Sequence, residues 1–381
     1  MARLERALAV HTARDKARLE ALIGAGQLAY RLDQPQRCDA LVGEAIALAY
    51  ALGDVRGEAA ASDVLATLRI WQGSEEAEAI ALRARKLAQA AGDMPIEGSV
   101  VFHLALIAKT RSELGKAETL FLESAKLWDS AGCVLRAPLG MQFAGECVFE
   151  RFDLVGARRM LEAALIQHRR MGNVHDAASA LRTLGTIALN EQRLDEARAQ
   201  CAESLRIFRA LQDRNCGAYS ARANAAVLFA LGDTAGALRD AESAAATFRV
   251  IGAREHALAD TLGLIASVHA TRDDRDGARE ALREGLTAQR RTNRDYGLPQ
   301  LLEAVASMHP DAPPAAALLG CAAALREQWS LSILPAERVE HERRYAAVRR
   351  KHANADFDLA VAAGRALTRD DAIDKALGLV S

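Results

Sequence analysis

Apolar positions recur with helical spacing in stretches of about 12 to 17 residues, and short polar turns separate the stretches. One set of turns is regular. Ala51-Leu52-Gly53-Asp54, Ala91-Gly92-Asp93, Ala131-Gly132-Cys133, Met171-Gly172-Asn173, Leu211-Gln212-Asp213, Ile251-Gly252-Ala253 and Thr292-Asn293-Arg294 each end an apolar stretch, and their central residues lie 39, 40, 40, 40, 40 and 41 positions apart. A fixed period between roughly 20 and 50 residues marks a stacked array. Glycine just past the last helical turn takes positive φ without a Cβ penalty, so it closes the helix; Asn293 is the next best residue for that place, and Gln212 is the weak member.

A second register lies inside each period. Cys38, Ala77, Ala117, Ala157, Ala197, Ala237 and Ala278 recur at the same spacing, and twelve residues before each comes Gly26, Leu65, Ala105, Gly145, Gly185, Ala225 or Ala266. Two helices approach closely only where both present small side chains, so these pairs mark the crossing points of antiparallel helical hairpins. The turns inside the hairpins are Asp33-Gln34-Pro35, Gln72-Gly73-Ser74, Ser112-Glu113-Leu114-Gly115, Asn190-Glu191-Gln192-Arg193, Leu231-Gly232-Asp233 and Arg272-Asp273-Asp274. Leu181-Leu184-Gly185-Ala188 followed by Ala197-Cys201-Ser204-Leu205 resembles the tetratricopeptide consensus in its Leu-Gly pair and second-helix Ala; the usual first-helix Trp and terminal Pro are missing, and the period exceeds the common one of about 34.

The fold class expected is therefore all-α: a right-handed superhelical solenoid of tetratricopeptide-like hairpins with a C-terminal helical cap. Residues 1–296 hold about seven hairpins, 297–329 a degenerate eighth and 330–381 the cap. Past Asn293 the period decays into a short helix over Gly297 to Met308. A break follows at His309-Pro310-Asp311-Ala312-Pro313-Pro314, then an apolar helix to about Gln328. The charged stretch Ala336 to His352 reads as an exposed helix, followed by helices over Phe357 to Ala366 and Asp370 to Leu379, the last with Thr368 as N-cap. Leu4 to Ala9 reads like the end of a second helix lacking its first, as in the C-terminal part of a longer protein.

Composition narrows the function classes. With 381 residues, 50% of them hydrophobic, the chain buries a large core without help from metal or disulfide. Aromatics at 4% suit closely packed helices over β-sandwiches. A net charge of -1 supplies no field for nucleic acid or an anionic bilayer. The cysteines at 38, 133, 147, 201, 216 and 321 form no C-x-x-C pair or other metal-like spacing, and Cys38, Cys201 and Cys321 occupy small core positions. No signal peptide or membrane-length apolar run is present, so a reduced cytoplasm is the expected setting, with no metal and no cofactor.

Two further stretches carry a wider resemblance. One runs from Leu19-Glu20-Ala21-Leu22 through Gly24 to Tyr30, Glu44 to Ala49 and Leu52-Gly53-Asp54; the other comprises Ala316 to Arg326, Leu334 to Arg338, Ala363 to Thr368 and Asp371-Ala372. Together they resemble the tetratricopeptide half of large bacterial regulators of the STAND type, which join a nucleotide-binding ATPase to such a solenoid and often carry a LuxR-type DNA-binding domain. The resemblance implies a solenoid that senses an inducer or partner in transcription regulation and restrains an ATPase. No G-x-x-x-x-G-K-[ST] loop occurs in this chain, so the ATPase is not on it, and no helix-turn-helix follows Thr368.

In tetratricopeptide arrays the first helix of every pair lines the concave face. Positions one, four or five after the small residue, and three or six before it, then select Gln27, Tyr30, Arg31, Arg69, Phe102, Lys109, Gln142, Glu146, Phe149, Glu150, Arg182, Asn190, Tyr219, Arg222, Phe229 and Asp260. Arg69, Lys109, Arg182 and Arg222 suit carboxylates, while Tyr30, Phe102, Phe149, Tyr219 and Phe229 offer flat apolar contact. The competing reading is that these are wetted helix faces and packing rings. A protein or peptide partner is the first expectation and a small-molecule inducer the second. Two rival functions stand beside binding: an enzyme using Glu146 and Glu150 as acid and base with Arg182 for an anion, and a scaffold that self-associates as a homodimer. His103 and His269 are expected as packing residues. The pairs Arg169-Arg170, Arg290-Arg291 and Arg343-Arg344, with Arg349-Arg350-Lys351, read as solvated helix ends, and Trp71, Trp128 and Trp329 as fillers of seams between hairpins.

Overall fold

The computed structural model describes the chain apart from Met1, Asp33, Ala253, Arg254, 293–296, 329–332 and Leu334, and apart from the side chains of Ala2, Arg3, Glu5, Ala7 and Asn354. Of the residues named above, Asp33, Ala253, Asn293, Arg294, Trp329 and Leu334 therefore lie outside it. The chain forms two compact units, Met1–Asn173 and Val174–Ser381. Every regular element among the described residues is a helix.

Unit 1 opens with α1 (Ala2–Val10) and continues as four hairpins: α2 (Lys16–Arg31) with α3 (Pro35–Leu52), α4 (Val55–Trp71) with α5 (Ala77–Ala91), α6 (Met94–Thr110) with α7 (Leu114–Ser130), and α8 (Ala137–Glu150) with α9 (Leu154–Arg170). Unit 2 begins with three more: α10 (Val174–Asn190) with α11 (Leu194–Ala210), α12 (Arg214–Ala230) with α13 (Thr234–Ile251), and α14 (Glu255–Thr271) with α15 (Arg275–Arg290). Within each unit successive helices pack on one another, which makes the fold a tetratricopeptide-like helical solenoid.

Starts and stops of these helices are local chemistry. Asp15, Asp54, Asp93, Asp153, Asp213, Asp233 and Asp274 each accept a hydrogen bond from the backbone N–H three residues on, satisfying a donor that has no partner inside the helix. At the other end Gly53, Gly92, Gly132, Gly172, Gln212 and Gly252 adopt left-handed φ between 55° and 71°. A second series interleaves with the first: Gly73, Ser112, Phe152, Gln192, Gly232 and Asp273, inside the hairpins, have φ between 59° and 82°. At Gln212 the closure is a Schellman pair, with Gln212 N donating to Arg209 O at 3.2 Å and Asp213 N to Phe208 O at 3.1 Å. The same pair closes α8, from Phe152 N to Phe149 O at 2.8 Å and Asp153 N to Val148 O at 3.2 Å. Among the described residues of the series between hairpins only Gln212 carries a side chain, so relief of its Cβ strain outweighs the extra backbone freedom of glycine. Gln212→Gly is expected to stabilise the protein by about 0.5–1 kcal/mol, read as a higher urea midpoint at unchanged slope.

The small-residue register is the core. Cys38, Ala117, Ala157, Ala197 and Ala237 are fully buried, and a Cβ built on Gly185 would lie 3.3 Å from the Ala197 carbonyl oxygen and 3.1 Å from the Cys201 nitrogen. At Gly26 the corresponding Cβ would meet a Val42 methyl at 2.6 Å. Leu65 is the exception in that register and is half-buried. Cys38, Cys147, Cys201 and Cys321 are buried, and burial pushes the Cys147 and Cys201 thiols up to about 12, so they serve as small apolar residues.

After α15 come α16 (Leu298–Met308) and α17 (Ala315–Gln328), packed as a short hairpin, then α18 (Pro335–Arg349), α19 (Asn354–Gly364) and α20 (Arg369–Val380). α19 packs on α17 and α20 on α15 and α16, so Phe357, Ile373 and Val380 join the core of unit 2. Thr368 caps α20 by accepting from Asp371 N at 3.2 Å. Three expectations are corrected here. α18 is not an exposed helix, since Arg344 is 7% and Val348 0% exposed. Arg344 therefore does not belong to a solvated pair. Trp71 only edges its seam and is 57% exposed, whereas Trp128 is buried with its Nε1 donating to Pro95 O at 3.1 Å. No helix among the described residues is long and apolar enough to cross a membrane.

Candidate functional site

In unit 1, Gln27 and Arg31 on α2 are exposed, and the half-buried Tyr30 ring meets the Trp71 ring edge-on with centroids 6.0 Å apart. Arg69 on α4 reaches Asp39 Oδ1 at 2.6 Å and Gln72 Oε1 at 2.9 Å, so its guanidinium is held against the start of α3. On α6 and α8, Lys109 Nζ lies 3.2 Å from Glu146 Oε2, 3.1 Å from Glu150 Oε1 and 5.7 Å from the Phe143 ring centre. Burial opposes the ammonium charge, but the two carboxylates outweigh it and hold the lysine above its ordinary range. Gln142 is buried against the same group, its Nε2 donating to Glu146 at 3.2 Å while its Oε1 has no hydrogen-bond partner among the described residues. Phe149 is half-buried nearby in sequence.

Phe102 departs from expectation. Its ring sits 5.0 Å from Phe121, 5.0 Å from Phe143 and 5.5 Å from Trp128, and it is 9% exposed. A large ring three residues before the small position turns into the seam between α6, α7 and α8, where other rings receive it. His103 behaves as a satisfied packing residue, with Nδ1 2.7 Å from Asp63 Oδ1 and Nε2 3.1 Å from Thr67 Oγ1. His269 likewise meets Asp274 at 2.7 Å. Of the acid, base and anion trio, Glu146 and Glu150 are both paired with Lys109, and Arg182 lies in unit 2.

In unit 2, Arg182 stacks over the Tyr219 ring at 5.9 Å, and Arg222 Nη1 lies 3.9 Å from Asp260 Oδ2. Phe229 is half-buried, and Asn190 is buried, with Nδ2 donating to Thr186 O at 2.9 Å, so it presents little to solvent. In this unit α18 lies against α10 and α14. Ser267 on α14, which directly follows the small residue Ala266, meets α18. Ala336 packs on a cluster of Ala188, Leu189, Ala197, Cys201 and Val227, and Arg344 donates to Ser267 Oγ at 2.7 Å and to the Gln300 carbonyl oxygen at 3.1 Å. His341 Nδ1 lies 3.0 Å from Glu303 Oε1, which Arg326 also contacts closely. Burial alone would raise the Glu303 carboxyl; His341 and Arg326 outweigh it and hold it below the usual range. Glu337, 3.4 Å from Gln300 Nε2, is pushed up by burial.

This docking of α18 was not readable from hydrophobic pattern. α18 docks through buried polar bonds, and its Arg343-Arg344 pair and surrounding acids look like a solvated helix in sequence. The signal available was Arg344 itself, whose partners stand 44 and 77 residues away.

No protein-family model matches the chain, and no curated protein matches it in sequence. Solved structures do match in fold. A Rap protein complexed with competence and sporulation factor superposes with a TM-score of 0.68 at 13% identity over 95% of this chain and 99% of that one. The apo form of the quorum sensor NprR from B. thuringiensis gives 0.54 at 13% identity, covering 91% and 97%. A signal-transduction STAND ATPase with a tetratricopeptide repeat sensor from Pyrococcus horikoshii gives 0.53 at 16% identity, over 87% of this chain and 52% of that one. At these identities the likeness is one of fold: the chain shares the tetratricopeptide-like architecture of these proteins.

Proposed function

We propose that this protein is a binding module of a regulatory or sensory system, taking a protein or peptide segment on the inner face of unit 1 without chemical turnover. One observation carries the reading: unit 2 holds a helix, α18, against the first helices of its hairpins, α10 and α14, by a mixture of alanine packing and buried polar bonds. A surface of the same register in unit 1 is suited to a helix or extended segment of similar chemistry, apolar with acidic side chains. There Tyr30, Arg31 and Arg69 combine ring contact with cationic donors, beside the exposed indole of Trp71. The fold neighbours named as a complexed Rap protein, a quorum sensor and a repeat sensor support the regulatory part, as does the resemblance to the repeat half of STAND-type regulators. The pairing of Lys109 with both Glu146 and Glu150 speaks against an acid–base pair at that place.

The test is selection of peptides from a displayed library on the full chain, followed by calorimetric titration of the best binder. Arg31→Ala with Arg69→Ala is expected to weaken it at least tenfold, about 1.4 kcal/mol, while Arg182→Ala with Arg222→Ala changes it less. Equal loss in both double variants, or none in the first, removes the assignment to unit 1.

A further inference from the structure

The first turn of α10 and the first turn of α12 bring together His175, Asp213 and Cys216, residues one repeat apart in sequence. His175 Nε2 lies 3.1 Å from Asp213 Oδ2 and 3.9 Å from Cys216 Sγ, and one donor atom from each residue falls within 4.8 Å of the others. Around a tetrahedral ion with bonds of about 2.0–2.1 Å to nitrogen and oxygen and about 2.3 Å to sulfur, donor atoms stand roughly 3.3–3.6 Å apart. Small side-chain rotations therefore bring all three onto one ion.

The donors are also aimed. His175 Nδ1 meets Asp176 Oδ1 at 3.0 Å, and the ring stands edge-on to Phe208 at 5.2 Å, which directs Nε2 toward the other two. A carboxylate on the far ring nitrogen is the usual support of a metal-binding histidine. Asp213 spends Oδ1 on the α12 cap, accepting from Cys216 N at 2.9 Å, and its other oxygen faces the imidazole. Cys216 lies in the first turn of α12, on the same turn that Asp213 caps. The site is reachable, with the His175 side chain 48% and the Asp213 side chain 27% exposed.

We propose that His175, Asp213 and Cys216 bind a divalent ion of the Zn(II) class, tying the starts of two consecutive hairpins of unit 2 together and leaving the fourth position to water. One imidazole, one thiolate and one carboxylate suit a borderline-soft ion; Mg(II) and Ca(II) prefer oxygen shells. The site uses none of the inner-face residues, so it stands apart from the peptide reading.

The test is titration of the full, reduced chain with Co(II), then displacement by Zn(II). One equivalent of Co(II) is expected to bind and give a near-ultraviolet thiolate-to-metal band that is absent in Cys216→Ala, and Zn(II) is expected to raise Tm. His175→Ala and Cys216→Ala should each weaken binding at least tenfold, and Asp176→Asn by about tenfold, while melting of the metal-free variants shows that they fold. The proposal is overturned by the absence of stoichiometric binding, or by binding whose spectrum and affinity survive Cys216→Ala. Rapid alkylation of Cys216 with no metal uptake also overturns it, since that marks a thiol–imidazole pair.

Discussion

Glu303→Ala is expected to lower the stability of unit 2 by about 3–5 kcal/mol, because it leaves the largely buried Arg326 guanidinium without its acceptor. Glu303 is 3% exposed and receives both His341 of α18 and Arg326 of α17. The Arg326 side chain is itself only 11% exposed, so water does not replace the lost carboxylate. Urea denaturation measures the effect, and a loss under about 1 kcal/mol would show the group to be solvated after all.

The same residue sets a pH dependence. A carboxyl held below its ordinary value contributes stability that is present above its unfolded pKa and is lost as pH falls through the folded one. Docking of α18 should accordingly loosen in acid, below roughly pH 4, seen as faster amide exchange over 335–349 after correction for intrinsic rate. Glu337 has the opposite sign: burial raises it, so its contribution is full below its unfolded value and fades as pH rises through the folded one. Glu337→Gln should then slow exchange in α18 at neutral pH, and faster exchange would contradict the burial argument.

Gly320→Ala is expected to destabilise the C-terminal helices by about 3 kcal/mol, reversing the usual sign of a glycine-to-alanine change inside a helix. A Cβ on Gly320 would run into the Val361 carbonyl oxygen and lie 3.1 Å from the Arg365 nitrogen, while one on Gly364 would run into the Ala317 carbonyl oxygen. α17 and α19 thus cross backbone to backbone, with no flexible side chain to give way. Gly43, inside α3 with nothing within 4 Å of its Cβ position, is the control: Gly43→Ala should gain about 0.5–1 kcal/mol. Thermal melts of the two variants side by side decide it, and equal shifts in one direction would refute the close crossing.

Much of this fold was legible because it is written in local rules. The glycines at 53, 92, 132, 172 and 252 close their helices within one turn, and the small pairs such as Gly185 with Ala197 recur at one fixed spacing across a single hairpin. The turns inside the hairpins were legible except the one at Phe152, but their left-handed φ was not, because Ser112, Phe152 and Gln192 are not residues that advertise it; their backbone closures hold them there. The candidate site was less legible. A repeat register gives the face a residue starts from but not where a long side chain ends, so Tyr30 meets Trp71 and Arg69 reaches Asp39 on α3 while Phe102 turns into the core. Docking of α18 depends on partners dozens of residues away, and His175, Asp213 and Cys216 meet only because the period returns them to neighbouring hairpins.

The paired series of helix closures has a consequence for how such a chain changes length. Between Gly92 and Asp93 a single inserted residue would separate the Asp93 N–H from the Ala88 carbonyl that it reaches at 3.0 Å, and the next helix would start out of phase with its cap. Duplicating or excising a whole period of about 40 residues leaves every such bond intact. Size in this architecture is therefore graduated like a ruler, and relatives of the chain should differ by entire increments far more often than by one or two residues inside a joint.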